Sequence, residues 1–150
     1  MDGDEAAEIR RVEPGRLRAL LMEHRQPVLL LGAGASIKSG VPDAGETVNR
    51  AAKWAWCKEN ARSPEDPSVV SSDWRPWLEQ QSWFRDGVGL ADQYPVAIDN
   101  LLGIGNDRRE FFENITSRGV RPSLGYEALA RIMDSGWIAT VLTTNFDHCL

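Results

Sequence analysis

The stretch VLLLGAGAS, residues 28–36, constrains the fold more than any other part of the sequence. Its apolar run from Val28 to Leu31 predicts a short strand that is buried on both faces. The small residues that follow allow the chain to turn tightly into a helix. Backbone N–H groups in such a turn, with the positive end of the helix dipole behind them, can hold a phosphate or pyrophosphate. The sequence therefore predicts an α/β unit that binds a phosphate-containing ligand.

Composition is typical of one globular domain without a basic surface. The chain has 150 residues, of which 42% are hydrophobic and 26% are charged. Its 17 basic and 22 acidic residues give a net charge of -5, without the basic excess that favours binding to nucleic acid or anionic membranes. We therefore expect neither nucleic acid nor a membrane among its partners.

The cysteines and the amino-terminal stretch indicate a cytoplasmic protein. Cys57 and Cys149 lie far apart and lack the CxxC spacing of zinc sites, so neither a disulfide framework nor a metal site is expected. The opening MDGDEAAEIRR is acidic and polar, unlike a signal peptide. No apolar run in the sequence is long enough to span a membrane.

Periodic apolar residues predict helices over most of the chain. Residues 1–27 form an amino-terminal helical segment that packs on the remaining domain, residues 28–150. The predicted helix caps are Asp43 with Glu46, Asp107 with Glu110, and Ser123. The apolar positions of the predicted helices are Leu17, Leu20 and Leu21; Val48, Ala51, Ala52 and Ala55; Trp74, Trp77 and Leu78; Ile98, Leu101 and Leu102; Phe111, Phe112 and Ile115; and Tyr126, Leu129, Ala130 and Met133.

A second strand is predicted from Ile138 to Leu142, and the polar sequence TTNFD follows it at residues 143–147. In parallel sheets, ligands bind beyond the carboxyl ends of the strands, where this sequence would lie. The helices between the two strands read as a helical insertion. Because two strands are too few for a doubly wound sheet, we expect the amino-terminal part of a larger Rossmann-like α/β domain, truncated at its carboxyl end.

Two common phosphate-binding motifs are excluded by Ile37. A dehydrogenase fingerprint needs glycine at that position, three residues after Gly34, and a P-loop needs glycine there, directly before Lys38. A turn that serves only to pack a helix on the strand remains an open alternative.

Three sequences taken together resemble the sirtuin family. They are GAGAS at residues 32–36, GVPD at residues 40–43 and TTNFD at residues 143–147. In this order they are most similar to the sirtuin-like NAD-cleaving domains of bacterial anti-phage defence proteins. The resemblance covers residues 28–150 and implies a Rossmann-like parallel sheet that binds NAD+ as a substrate, with no metal among these residues.

The resemblance also implies roles for individual residues. Asn145 would be catalytic and orient the reactive ribose or a water, Asp43 would lie near the nicotinamide pocket, and Asp147 would contact the carboxamide. The turn would hold the pyrophosphate and the nearby ribose. The implied NAD+-binding residues are Gly32, Ala33, Gly34, Ala35, Ser36, Asp43, Thr143, Thr144 and Asp147.

Departures from the sirtuin deacylases favour hydrolysis. Those enzymes have Phe-Arg where this chain has Ala44-Gly45, and Gln where it has Thr144. Without the Phe, the nicotinamide pocket would be more open to water, which favours hydrolysis over transfer to an acyl-lysine. The family's catalytic histidine is expected beyond Leu150, and His148 is interpreted as a surface or packing residue.

The resemblance therefore implies an NAD+ glycohydrolase that releases nicotinamide and ADP-ribose and acts in anti-phage defence by depleting NAD+. The alternatives are an NAD-dependent protein deacylase and a non-catalytic sensor of NAD or ADP-ribose. The implied partners are NAD+, a carboxyl-terminal sensor domain or separate activating protein, and a second copy of the chain.

Simpler roles remain open for several of these residues. Asp43 and Asp147 could each cap the helix that follows, and Asn145 could bond to the backbone of its own turn. Most of the tryptophans are expected in the core. The pair Arg108-Arg109 is expected on a solvated helix face.

Overall fold

The computed structural model describes residues 13–23 and 27–150. Residues 1–12 and 24–26, which belong to the predicted amino-terminal segment, lie outside the described residues. The elements in chain order are α1 (Pro14–Glu23), β1 (Val28–Leu31), a 3₁₀ helix (Ala33–Ser39), α2 (Ala44–Glu59), α3 (Ser71–Glu79), a 3₁₀ turn (Leu90–Gln93), α4 (Tyr94–Leu102), α5 (Asn106–Ser117), α6 (Leu124–Asp134) and β2 (Thr140–Thr143).

The two strands pair in parallel, so their carboxyl ends meet at one edge of the sheet. The register aligns Val28 with Thr140 and Leu31 with Thr143. The Thr144 N–H extends this pairing by donating to the Leu31 carbonyl at 3.1 Å. The strand ends therefore bring the GAGAS and TTNFD sequences side by side, although more than a hundred residues separate them.

Only one face of the sheet is covered by the described residues. Leu29 and Leu31 pack on a cluster formed by Tyr126, Leu129, Ile138 and Cys149, with Leu21 of α1 also in contact. Val28 and Leu30 are 61% and 67% exposed. The prediction that β1 is buried on both faces is therefore wrong for this part of the chain, because no second layer covers it. Ile138, predicted in β2, is buried just before the strand begins.

Helix α2 organises the helical body between the strands. Val48, Ala51 and Ala52 are fully buried along it, and these small side chains let neighbouring helices approach closely. Ala51 belongs to a cluster with Ile98, Leu102, Phe111 and Ile115. Ala52 belongs to a second cluster with Cys57, Val69, Trp74 and Leu78. The predicted core faces of these helices are therefore confirmed.

The predicted helix caps have mixed outcomes. Asp43 precedes α2, and its carboxylate accepts from the Glu46 N–H at 2.8 Å, as predicted. Ser123 precedes α6, but its side chain makes no capping bond. The predicted cap at Asp107 is wrong: α5 begins at Asn106 after Gly105, and Asp107 instead pairs with Lys58 at 2.6 Å.

The tryptophans are mostly in the core, as expected. Trp74 is buried, and four others pack partly buried against the two helical clusters: Trp54, Trp56, Trp77 and Trp83. Trp137 is the exception at 43% exposed.

The architecture is mixed α/β, mostly helical, with a two-stranded parallel sheet. The α/β class and the helical region between the strands agree with the prediction. The finer expectation of a Rossmann-like sheet is not established by two strands. No helix in residues 13–23 or 27–150 has the length and apolar character needed to cross a membrane.

We expect Phe111→Ala to lower the free energy of unfolding by about 3–5 kcal/mol. Phe111 is 1% exposed and meets Trp54 edge to face at 5.8 Å between ring centroids, so its removal leaves a cavity at the centre of the helical body. Denaturant unfolding would measure the loss, with Glu110→Ala on the exposed face of the same helix as the control. Equal losses in both variants would contradict the placement of Phe111.

Candidate functional site

The glycine turn leads into a short 3₁₀ helix. The Ala35 N–H donates to the Gly32 carbonyl at 3.0 Å, and the helix ends at Gly40, whose φ of 96° is left-handed and suits glycine. The predicted turn into a helix is present, but the helix has only seven residues. Its dipole is therefore shorter than the sequence suggested, and the site depends more on side chains.

The glycines of the turn are not required by packing within the described structure. A Cβ atom added to Gly32 or Gly34 would meet no described atom within 4 Å. Neither residue has the left-handed backbone that favours glycine. These two positions therefore leave open space beside the backbone, and packing within the described residues does not explain why they are glycine.

Ser36 links the turn to α6 and to the end of β2. Its side chain is fully buried, and its Oγ lies 2.7 Å from the Tyr126 hydroxyl and 2.9 Å from Asn145 Nδ2. The amide nitrogen donates to Ser36. In the Ser36–Tyr126 bond either hydroxyl can be the donor, because each carries one proton and can also accept.

Asn145 is held in one orientation at the carboxyl end of β2. Its backbone N–H donates to Thr143 Oγ1 at 3.0 Å, while its side-chain nitrogen bonds to Ser36. Its Oδ1 atom is buried and has no hydrogen-bond partner among the described residues. The simpler role of Asn145, bonding within its own turn, therefore accounts for its backbone N–H but for neither end of its side-chain amide.

Asp147 is ionised at neutral pH. Partial burial alone would raise its pKa, but hydrogen bonds from the Ser36 hydroxyl and from the Cys149 thiol and backbone N–H hold the pKa below its usual value. The backbone bond runs from the Cys149 N–H to Asp147 Oδ1 at 3.0 Å. The same arrangement raises the pKa of the Cys149 thiol, mainly through burial.

A cavity of about 270 Å³ lies where the three sequences meet, and we call it the motif cavity. The chain reaches it first at Ala33, then at Val41 and Pro42, and last at residues 144–147. The helical region completes the wall with Ala44, Thr47, Tyr94, Phe112, Ile115 and Thr116. The Phe112 and Phe146 rings lie together, with centroids 6.0 Å apart.

The predicted site residues divide into two groups. Ala33, Thr144, Asn145 and Asp147 line the motif cavity, and Ser36 reaches it through its bond to Asn145. The others do not line it: Gly32, Gly34, Ala35, Asp43 and Thr143. Asp43 caps α2, Ala35 packs against the cluster beneath the sheet, and Thr143 supports Asn145. His148 is exposed, as the surface interpretation expects.

The sequence does not predict the aromatic wall of the motif cavity, which Tyr94, Phe112 and Phe146 form. The spacing of Phe112 predicts a position in a helix core, and no motif includes Tyr94. Helical spacing indicates which residues share a face but not whether that face meets another helix or a cavity. The neighbouring sequence YP at residues 94–95 marks a helix start, which is a signal for structure rather than for a site.

Comparisons of the chain with protein-family models, curated proteins and solved structures find no match. Within the described residues, no group of three or more His, Cys, Asp or Glu side chains is arranged to hold a metal ion. The chemistry of the motif cavity must therefore support any functional proposal.

We expect Ser36→Ala to raise the pKa of Asp147, because the carboxylate loses the stabilising Ser36 hydroxyl. We also expect it to lower the free energy of unfolding by about 1–3 kcal/mol, because the Tyr126 hydroxyl and the Asn145 amide lose a partner. A lowered folded-state pKa stabilises the fold above the unfolded pKa, and this contribution is lost as the pH falls through the folded pKa. The deficit of the variant should therefore shrink in acid.

Carboxyl NMR titration and denaturant unfolding at neutral and acidic pH would measure both effects. Tyr126→Phe is the matched control, since it removes a bond to Ser36 but leaves the Ser36–Asp147 bond. An unchanged Asp147 pKa in Ser36→Ala would contradict the network.

Proposed function

We propose that the chain is an NAD+ glycohydrolase that cleaves the bond between nicotinamide and ribose. Three features of Asn145 support this most: Ser36 fixes its amide nitrogen, its Oδ1 is buried without a partner among the described residues, and the residue lines the motif cavity. A fixed carbonyl dipole suits the orientation of a ribose hydroxyl or a nucleophilic water.

The motif cavity has the character of a small-molecule site. Its walls are mainly apolar with a few polar groups among them, as is typical of ligand pockets. Its volume of about 270 Å³ suits one end of a dinucleotide rather than the whole molecule. The rings of Tyr94 and Phe112 provide aromatic contacts of the kind that a nicotinamide ring would make.

In the proposed reaction the C1′–N bond breaks, and its electron pair passes to the nicotinamide nitrogen. The ribose carbon becomes electron-deficient, and a water oriented by Asn145 Oδ1 adds its oxygen there. One water proton leaves to solvent, so the products are nicotinamide, ADP-ribose and a proton. Fixed dipoles and an ordered water are the main requirements, because nicotinamide is already an activated leaving group.

Asp147 adds a negative charge to the same cavity. Its lowered pKa keeps it ionised at neutral pH, so it is suited to accepting a hydrogen bond from the nicotinamide carboxamide. The carboxylate also favours the positive charge that develops on the ribose. Both effects favour bond cleavage without a strong general acid.

Ala44 supports hydrolysis over acyl transfer. It lies on the wall of the motif cavity, at the position that the deacylases give to Phe. A methyl group fills less space than a phenyl ring and leaves room for water next to Asn145. We propose that the resulting loss of NAD+ serves anti-phage defence, as the resemblance to NAD-cleaving defence domains implies.

We expect Asn145→Ala to reduce nicotinamide release by about 100-fold or more, in line with the loss of a fixed polar contact to the transition state. The assay uses NAD+ without acyl-peptide and the longest native product that carries this sequence. Asn100→Ala, an exposed asparagine on α4, is the matched control.

Release that requires an acyl-peptide would indicate the deacylase, and NAD+ binding without turnover would indicate the sensor. Full activity in a folded Asn145→Ala protein would exclude the assigned role.

We expect Gly34→Val to weaken NAD+ binding by about tenfold or more, since the branched side chain occupies space that the protein leaves free for the pyrophosphate. The fold should tolerate the change, because no described atom lies within 4 Å of the added Cβ. Gly15→Val is the control, at an equally open position on α1. Calorimetric titration with NAD+ measures the affinity of both variants. Equal affinities would contradict the contact with the pyrophosphate and favour a turn that serves only to pack the helix.

A further inference from the structure

A second cavity, of about 420 Å³, lies on the other side of the aromatic wall, and we call it the Arg108 cavity. Tyr94, Phe112 and Phe146 line both cavities. Apolar side chains of α4, Pro95 and Ile98, form much of the remaining surface. The polar groups that complete it are those of Asp99 and Arg108.

The guanidinium of Arg108 is poorly satisfied by the protein. Its Nη2 atom donates to Asp99 Oδ1 at 2.9 Å and makes a long contact of 3.5 Å with the Ile98 carbonyl. Its Nε atom is buried without a partner among the described residues. A guanidinium normally presents several donors in a fork that matches an oxyanion, so this one retains unused bonding capacity.

The existing partner of Arg108 holds it weakly. The Asp99 side chain is 71% exposed, and an ion pair with so exposed a carboxylate contributes little stability. Asp99 can therefore turn into solvent when another anion approaches. This differs from the neighbouring Arg109, which is 79% exposed and pairs with Glu113 along the solvated face of α5.

Tyr94 provides a second donor at this place. Burial raises the pKa of its phenol, and the charge of Arg108 opposes that rise, which locates the phenol within the field of the guanidinium. The phenol is protonated at neutral pH and is able to donate to an acceptor.

We propose that the Arg108 cavity binds a small molecule that joins an aromatic or apolar body to an oxyanion, either a carboxylate or a phosphate. The oxyanion replaces Asp99 on Arg108, and the body lies against Phe112 and Phe146. The prediction that Arg108 lies on a solvated helix face is wrong, because its side chain is only 31% exposed. This binding is separate from the proposed hydrolysis of NAD+ and does not depend on it.

Binding of two probe anions to the chain tests the proposal, with benzoate for a carboxylate and adenosine monophosphate for a phosphate. Benzamide and adenosine are the neutral counterparts. We expect at least one anion to bind more tightly than its neutral counterpart, and Arg108→Gln to weaken that binding by about tenfold or more. Arg109→Gln is the matched control and should leave binding unchanged.

Asp99→Asn provides the sharper test, because it predicts a gain that misfolding cannot produce. Removal of the competing carboxylate should tighten anion binding by about two- to fivefold. Absence of binding by both anions, equal effects of Arg108→Gln and Arg109→Gln, or no gain in Asp99→Asn would each overturn the proposal.

Discussion

The buried hydroxyl of Ser36 is the contact on which the candidate site depends. It accepts from the Asn145 amide and shares a hydrogen bond with the Tyr126 hydroxyl, so one oxygen joins the glycine turn, α6 and the end of β2. Each of these groups would have to be solvated or unpaired without it, at a cost of about 1–3 kcal/mol for each buried group. The hydroxyl therefore fixes both the fold of the strand ends and the orientation of the polar groups.

The helical body provides the apolar wall of the motif cavity. Two clusters share α2, whose fully buried Ala51 and Ala52 allow α3 and α4 to pack closely on it. Helix α5 joins through the side chains of Phe111 and Ile115, which cluster with Ala51. Helices α4 and α5 present Tyr94 and Phe112. The same two rings separate the motif cavity from the Arg108 cavity, so the core of the helical region determines the shape of both.

The sequence was sufficient to predict elements whose signals are local. The apolar run of β1, the periodic faces of α2 and α5 and the cap at Asp43 each follow from a few neighbouring residues. Parallel pairing then explains why GAGAS and TTNFD meet, since it brings the carboxyl ends of two strands to one edge. The exposure of Val28 and Leu30 could not be predicted, because it depends on which layers cover the sheet rather than on the strand itself.

The hydrogen-bond partner of a polar side chain, such as Ser36 for Asn145, also cannot be predicted from neighbouring residues. Its position after a strand was readable from sequence, but the bond to Ser36 spans 109 positions and exists only in the fold. That bond places the carbonyl oxygen in a buried position where no described group satisfies it. An isolated protein gains no stability from such an arrangement, whereas a ligand hydroxyl or water that donates to this oxygen recovers the lost hydrogen bond. The unsatisfied atom is therefore the strongest physical reason to expect a polar ligand in the motif cavity.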